Sequence, residues 1–220
     1  MRSRFSASFY RENPPRTGKV YYFLKFNIPG PRSSTNIAAE AVCKVKRKMI
    51  LSKKEILEEI RKGTLKITPF DKNKIGECSV DLTLGNEFRI LKKQNKTINV
   101  TENSFLNEKQ TKRIVLKKNE RITLKPNELV LGITNETIRM PFHLCGWIQG
   151  RSRFARLGLL VHISSSLIQP GVENKQVLEI VNLSPTRLSL SAGLPVCQVV
   201  FERLSSPERH HGVFARQTKI

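Results

Sequence analysis

The feature that most constrains this chain is the punctuation of its central and C-terminal parts. From Leu65 onward, short apolar or alternating runs recur, each stopped by turn residues. The runs are Leu65–Ile67, Ser79–Leu84, Phe88–Leu91, Arg113–Leu116, Arg121–Leu124, Leu129–Thr134, Leu144–Gln149, Leu159–Ile163, Gln176–Leu183, Leu188–Leu190 and Val196–Leu204. The stops include Gly85-Asn86, Lys125-Pro126-Asn127, Met140-Pro141, Ser184-Pro185 and Ala192-Gly193. Runs of this length with period-two alternation suit strands, not helices. Many short strands with regular turns predict a mainly β fold, a barrel or jelly roll. No repeat period is visible.

One short helix precedes the strands. Ser52 with Glu55 forms a capping box, Ile56, Leu57 and Ile60 form an apolar helical face, and Gly63 is a C-cap. The helix is predicted over about Lys53 to Lys62. At 220 residues the chain can build one sizeable core and is short for two.

Residues 1–48 differ in composition. They hold eleven Lys and Arg against two acids, Glu12 and Glu40, and end in Lys44-Val45-Lys46-Arg47-Lys48 before Met49. A disordered basic arm, a targeting segment and a stretch outside the natural protein all fit that composition. The favoured reading is a basic extension over 1–48, disordered or not native, with the ordered domain at 49–220.

The net charge of +21 admits a polyanionic partner or simply a solvated basic surface. Most lysines are scattered, which favours the solvated surface for them. The four cysteines, Cys43, Cys78, Cys145 and Cys197, form no C-x-x-C pair. They suit reduced thiols in a cytoplasmic protein better than a zinc or disulfide framework. No apolar run reaches membrane-spanning length.

For chemistry, the run from Gly150 to Glu179 stands out. Arg151, Arg153 and Arg156 surround Ser152, and guanidinium forks suit a polyphosphate. Three exposed arginines on an ordinary loop fit the pattern equally well. By period two, Glu179 shares a face with Val177 and Val181. A carboxylate turned into a site there would be desolvated, as proton-transfer work requires. From the alternation alone, a carboxylate facing solvent on an edge strand is the favoured reading. Phosphate-binding glycine loops and the zinc-deaminase pattern are absent. His143, His162, His210 and His211 lack metal-ligand spacing and read as structural or surface residues.

Taken in order, these segments resemble the dCTP deaminase family, the non-zinc branch of the dUTPase-like trimers. The resemblance spans nearly all of 49–220. It rests on Met49-Ile50-Leu51-Ser52, on Ser79-Val80-Asp81 running to Leu84-Gly85-Asn86, and on Gly150-Arg151-Ser152 with Ala155-Arg156-Leu157-Gly158-Leu159. Leu178-Glu179-Ile180 followed by Asn182, and Val196 to Phe201, complete it. It implies a distorted β-barrel of the dUTPase-like (β-clip) type and a homotrimer with active sites between subunits. It also implies zinc-free hydrolysis of dCTP to dUTP and ammonia, with Mg2+ carried on the triphosphate.

On that resemblance Glu179 is the general acid/base, Ser152 orients the water, and Arg156 steadies Glu179 and the developing charge. Arg151 and the segment Ser152, Arg153, Phe154 and Ala155 receive phosphates. Gln169, Val177 and Leu178 are further substrate-binding residues, and Gln217 closes over the triphosphate. Departures from the family pattern are Arg153 for a serine, Phe154 for a leucine, Ser164-Ser165 for Thr-Ala, Gln169 for an aspartate and Val213 for a lysine. A glycine expected near Glu173-Asn174 is also missing. Gln169 cannot act as a base, although it can hydrogen-bond a sugar hydroxyl, so a deaminase with weak or no dUTPase activity is expected. A dUTP diphosphatase or bifunctional enzyme and a non-catalytic nucleotide-binding relative are the alternatives. Nucleic-acid binding has only the charge behind it.

Overall fold

A computed structural model describes residues 7–11, 22–26, 50–95 and 97–220. The chain divides into two compact units, 1–46 and 47–220. In the first, β1 (Ala7–Arg11) pairs antiparallel with β2 (Tyr22–Phe26). The expectation for residues 1–48 otherwise falls outside the described residues.

The second unit opens with α1 (Lys53–Arg61). Its start is tied as expected: Ser52 N–H donates to Glu55 Oε2 at 3.0 Å. Gly63 follows the helix at φ 71°, the left-handed conformation that ends helices. The apolar face buries Ile56 completely, with Leu57 and Ile60 packed beside it.

The strands that follow are β3 (Lys66–Thr68), β4 (Ser79–Leu91), β5 (Thr111–Val115), β6 (Arg121–Leu124), β7 (Leu129–Arg139) and β8 (Leu144–Gly150). After one turn of helix, α2 (Ser152–Ala155), come β9 (Leu159–Val161), β10 (Leu167–Ile168), β11 (Glu173–Asn182), β12 (Leu188–Ser191) and β13 (Pro195–Arg203). Seven strands run in the order β10-β8-β13-β4-β7-β11-β9, with β3 added on β7 and β5 on β4. Every pairing is antiparallel, and the sheet curls into a half-barrel. β6 and β12 form a separate ribbon. The inner face carries the core, including Leu82, Leu84, Phe88, Ile138, Leu178, Ile180 and Phe201, each fully buried.

The structure corrects the sequence reading at two strands. Gly85-Asn86 is not a turn. β4 runs straight through it, with a register shift between Leu84 and Phe88. A Cβ on Gly85 would stand 2.9 Å from the Ile133 carbonyl oxygen, so the glycine permits close approach of two backbones at a bulge. β7 extends past Thr134 to Arg139 although it carries Glu136, which is only 2% exposed. That carboxylate accepts the Thr83 N–H at 2.8 Å and the Thr83 hydroxyl at 2.6 Å. Hydrogen bonding of this kind lets a charged residue sit in a central strand.

Candidate active site

β4, β7 and β11 lie side by side, and their register puts three residues in a row. Arg89 is opposite Leu131, and Leu131 is opposite Glu179. All three line a cavity of about 750 Å³. Along β11 the alternation is strict: Val177, Glu179 and Val181 are partly exposed, whereas Leu178 and Ile180 are in the core. Glu179 has strand neighbours on both sides, with β7 on one and the β9 extension on the other. It is therefore not an edge residue in solvent.

The turn after β9 wraps this carboxylate. Ile163 N–H donates to Glu179 Oε2 at 3.0 Å and Ser164 N–H at 3.4 Å. His162 adopts φ 61° and donates its own backbone N–H to the Glu179 carbonyl at 2.7 Å. Histidine is one of the few residue types that enter this region with any frequency. Its Nδ1 lies 3.5 Å from Glu179 Oε2.

The C-terminal segment completes the wall. Glu173 N–H donates to the Ala215 carbonyl at 2.9 Å, and Lys175 N–H to the Gln217 carbonyl at 2.9 Å. Asn174 Nδ2 adds a bond to the Phe214 carbonyl at 2.8 Å. This strand-like pairing brings Gln217 into the cavity that holds Gln169, Val177 and Glu179. Phe105 and Phe214 meet there as a tilted ring pair, centroids 6.5 Å apart.

The arginine-rich turn lies elsewhere on the chain. A second cavity, about 560 Å³, is lined by Arg151, Ser152, Arg153 and Arg156 together with Lys74, Ser79, Asp81 and Gln198. Arg151 is fixed at two points, with Asp81 Oδ2 at 3.1 Å and the Pro195 carbonyl at 3.1 Å. Burial pushes the Asp81 carboxyl up, against the opposing pull of Arg151, Arg153 and Lys74. The N–H groups of Phe154 and Ala155 are turned back onto the Arg151 carbonyl, at 2.9 and 3.0 Å. Only the amides of Ser152 and Arg153 are left outside this ladder for an anion. The Phe154 side chain packs on the core.

The two cavities share no lining residue. Of the residues singled out in the sequence, Gln169, Val177, Glu179 and Gln217 meet in one cavity, and Arg151, Ser152, Arg153 and Arg156 meet in the other. Leu178 turns into the core and contributes no side chain to either. Sequence reasoning overlooked Arg89, His162 and Asp81 as site residues. Asp81 stood within a matched segment without a role of its own, Arg89 gave no signal beyond strand alternation, and His162 looked like one isolated histidine among four. Among the described residues no group of three or more His, Cys, Asp or Glu could hold a metal. No helix is long and apolar enough to cross a membrane, again among the described residues.

The half-barrel is a fold shared with a solved nucleotide deaminase. The chain aligns with a crystal structure of 2'-deoxycytidine 5'-triphosphate deaminase from Agrobacterium tumefaciens at TM-score 0.56 and 17% identity. The match covers 72% of this chain and spans about half of that one, 49%. Residues 50–204 match the family described as dCTP deaminase-like. Among curated relatives, a dCTP deaminase, dUMP-forming, from Methanopyrus kandleri is 34% identical over 168 residues, covering 72% of this chain and 83% of the relative. A dCTP deaminase from Idiomarina loihiensis is 34% identical over 166 residues, covering 72% and 85%. One from Buchnera aphidicola is 40% identical over 166 residues, covering 72% and 86%. This chain belongs to the dCTP deaminase-like family.

Proposed function

We propose that the protein is a dCTP deaminase that releases dUTP and ammonia, and that its active site forms between two copies of the chain. The observation that carries this reading is Glu179, held by backbone amides on the floor of a cavity large enough for a nucleoside. The arginines that would handle phosphates lie in a different cavity of the same chain. One copy supplies Glu179, Gln169, Val177 and Gln217, and a neighbour supplies Arg151, Ser152, Arg153 and Arg156. The resemblance in the sequence extends this to a homotrimer.

The chemistry balances as hydrolysis. Glu179 accepts a proton from water as the oxygen bonds to C4 of cytosine and hands it to N3. It then takes the proton of the new C4 hydroxyl and passes it to the amino group as the C–N bond breaks and the C4 carbonyl forms, leaving uracil and ammonia. Ser152 holds the water, and Arg156 stabilises the charge that develops. The arginines of this cavity would hold the triphosphate, and Mg2+ would enter only with that triphosphate, where it would supply further charge neutralisation without a protein cage.

The product follows from Gln169. An amide cannot take the proton of a second water aimed at the phosphate chain, so deamination stops at dUTP. Relatives described as dUMP-forming keep a second reading open, in which the same chain also cleaves dUTP. The test is incubation with magnesium and dCTP, and separately with dUTP, followed by ion-exchange chromatography. The expected result is dUTP from dCTP, no dUMP, and a loss of roughly a hundredfold or more in Glu179→Gln. Accumulation of dUMP would select the second reading. Binding of dCTP without turnover would leave a nucleotide-binding relative.

A further inference from the structure

His162 is bound to Glu179 more closely than a wall residue needs to be. Its backbone N–H holds the Glu179 carbonyl, and its side chain, 6% exposed, puts Nδ1 3.5 Å from Glu179 Oε2. The other ring nitrogen, Nε2, is within hydrogen-bond distance of the Ser165 carbonyl. A carbonyl oxygen only accepts, so Nε2 carries a hydrogen. A neutral imidazole has one donor and one acceptor nitrogen, which makes Nδ1 a bare lone pair. That lone pair is buried without a hydrogen-bond partner and faces a carboxylate oxygen. Two lone pairs at this separation repel unless a proton lies between them.

We propose that His162 is a positioning residue for Glu179: its Nδ1 shares one proton with Glu179 Oε2 and commits that oxygen, so that Oε1 is the atom presented to the reacting water. Every hydrogen bond or ion pair of the Glu179 carboxylate among the described residues is made through Oε2, with Ile163, Ser164 and His162. The left-handed backbone at His162 is what turns the ring and the two following amides onto one oxygen. The other ionisable groups lining the cavity are Arg89, Glu108, Lys175 and His210. Arg89 faces Glu108 at 3.7 Å, and among the described residues none of the four forms an ion pair with Glu179 or His162. The role of His162 in turnover rests on the deaminase reading. The shared proton does not.

The test therefore has two arms on the full chain. The first is the nitrogen-15 NMR spectrum of the His162 ring, in the protein and in Glu179→Gln, without nucleotide. The expected result is a protonated Nε2 in both and an Nδ1 resonance that moves in the variant. A protonated Nδ1 with a bare Nε2, or an Nδ1 indifferent to Glu179→Gln, overturns the proposal whatever the protein catalyses. The second arm is dCTP turnover by His162→Ala and His162→Asn. Asparagine tolerates the left-handed backbone and sets an amide where Nδ1 stood, but it does not titrate. The expected result is a kcat lower by about tenfold or more in His162→Ala, with KM for dCTP little changed. His162→Asn recovers part of kcat. A kcat unchanged in His162→Ala, or no recovery in His162→Asn, sinks the proposal and leaves the deaminase reading intact. Absence of dCTP turnover in the unmodified chain sinks that reading instead, and the spectra alone then decide the pair.

Discussion

At the scale of single residues, the cavity around Glu179 is sensitive to charge. Gln169 lines the same cavity, so Gln169→Asp adds a potential base there with little change in volume. Its expected effect is measurable dUMP from dCTP, where the proposed reading has the unmodified chain stop at dUTP, read on the same chromatogram. A variant that still stops at dUTP would show that the amide does not set the product. Glu179's face was legible in the sequence, since period two already grouped it with Val177 and Val181. Its surroundings were not, because they depend on β7 and the residues after β9 arriving on either side from distant parts of the chain. His162 was less legible still. A lone histidine carries no spacing signal, and its significance comes from a positive φ and from which oxygen its ring meets.

At the scale of elements, α1 shows how a buried carboxylate anchors a short helix. Glu59 is 5% exposed and accepts from the Thr64 hydroxyl at 2.7 Å, Arg203 at 3.0 Å and His143 at 3.1 Å. Burial by itself would raise its pKa, but these three partners together hold it below the ordinary 4.5. A carboxyl depressed in the native state contributes stability that is present above pH 4.5 and is lost as pH falls from there through the native value. The urea midpoint should therefore drop below pH 4.5, and less steeply in Glu59→Gln, which should also lose about 1–3 kcal/mol at pH 7. A parallel fall in both proteins would assign the acid sensitivity to other carboxyls. In β4, Gly85→Ala should destabilise by about 1–3 kcal/mol in the same assay, because its methyl would meet the Ile133 carbonyl at 2.9 Å. The helix and most strands were legible from caps, alternation and turn residues. β4 was split in two because glycine followed by asparagine signals a turn as readily as a bulge. β7 was cut short because Glu136 breaks the apolar pattern, and its partner Thr83 belongs to another strand.

At the scale of the whole molecule, the separation of acid and arginines into two cavities makes a prediction about mixtures. Glu179→Gln and Ser152→Ala should each be nearly inactive alone. Co-expressed in equal amounts, they should regain about a quarter of full activity, since in a closed head-to-tail ring one site in four then pairs an intact Glu179 with an intact Ser152. Mixtures as inactive as either variant would mean that both halves serve a single chain. The separation also bears on dilution. A chain whose chemistry needs a neighbour loses rate when its neighbours leave, although nothing in it unfolds. Its activity per molecule then reports local protein concentration, and substrate that bridges two copies slows their parting by mass action.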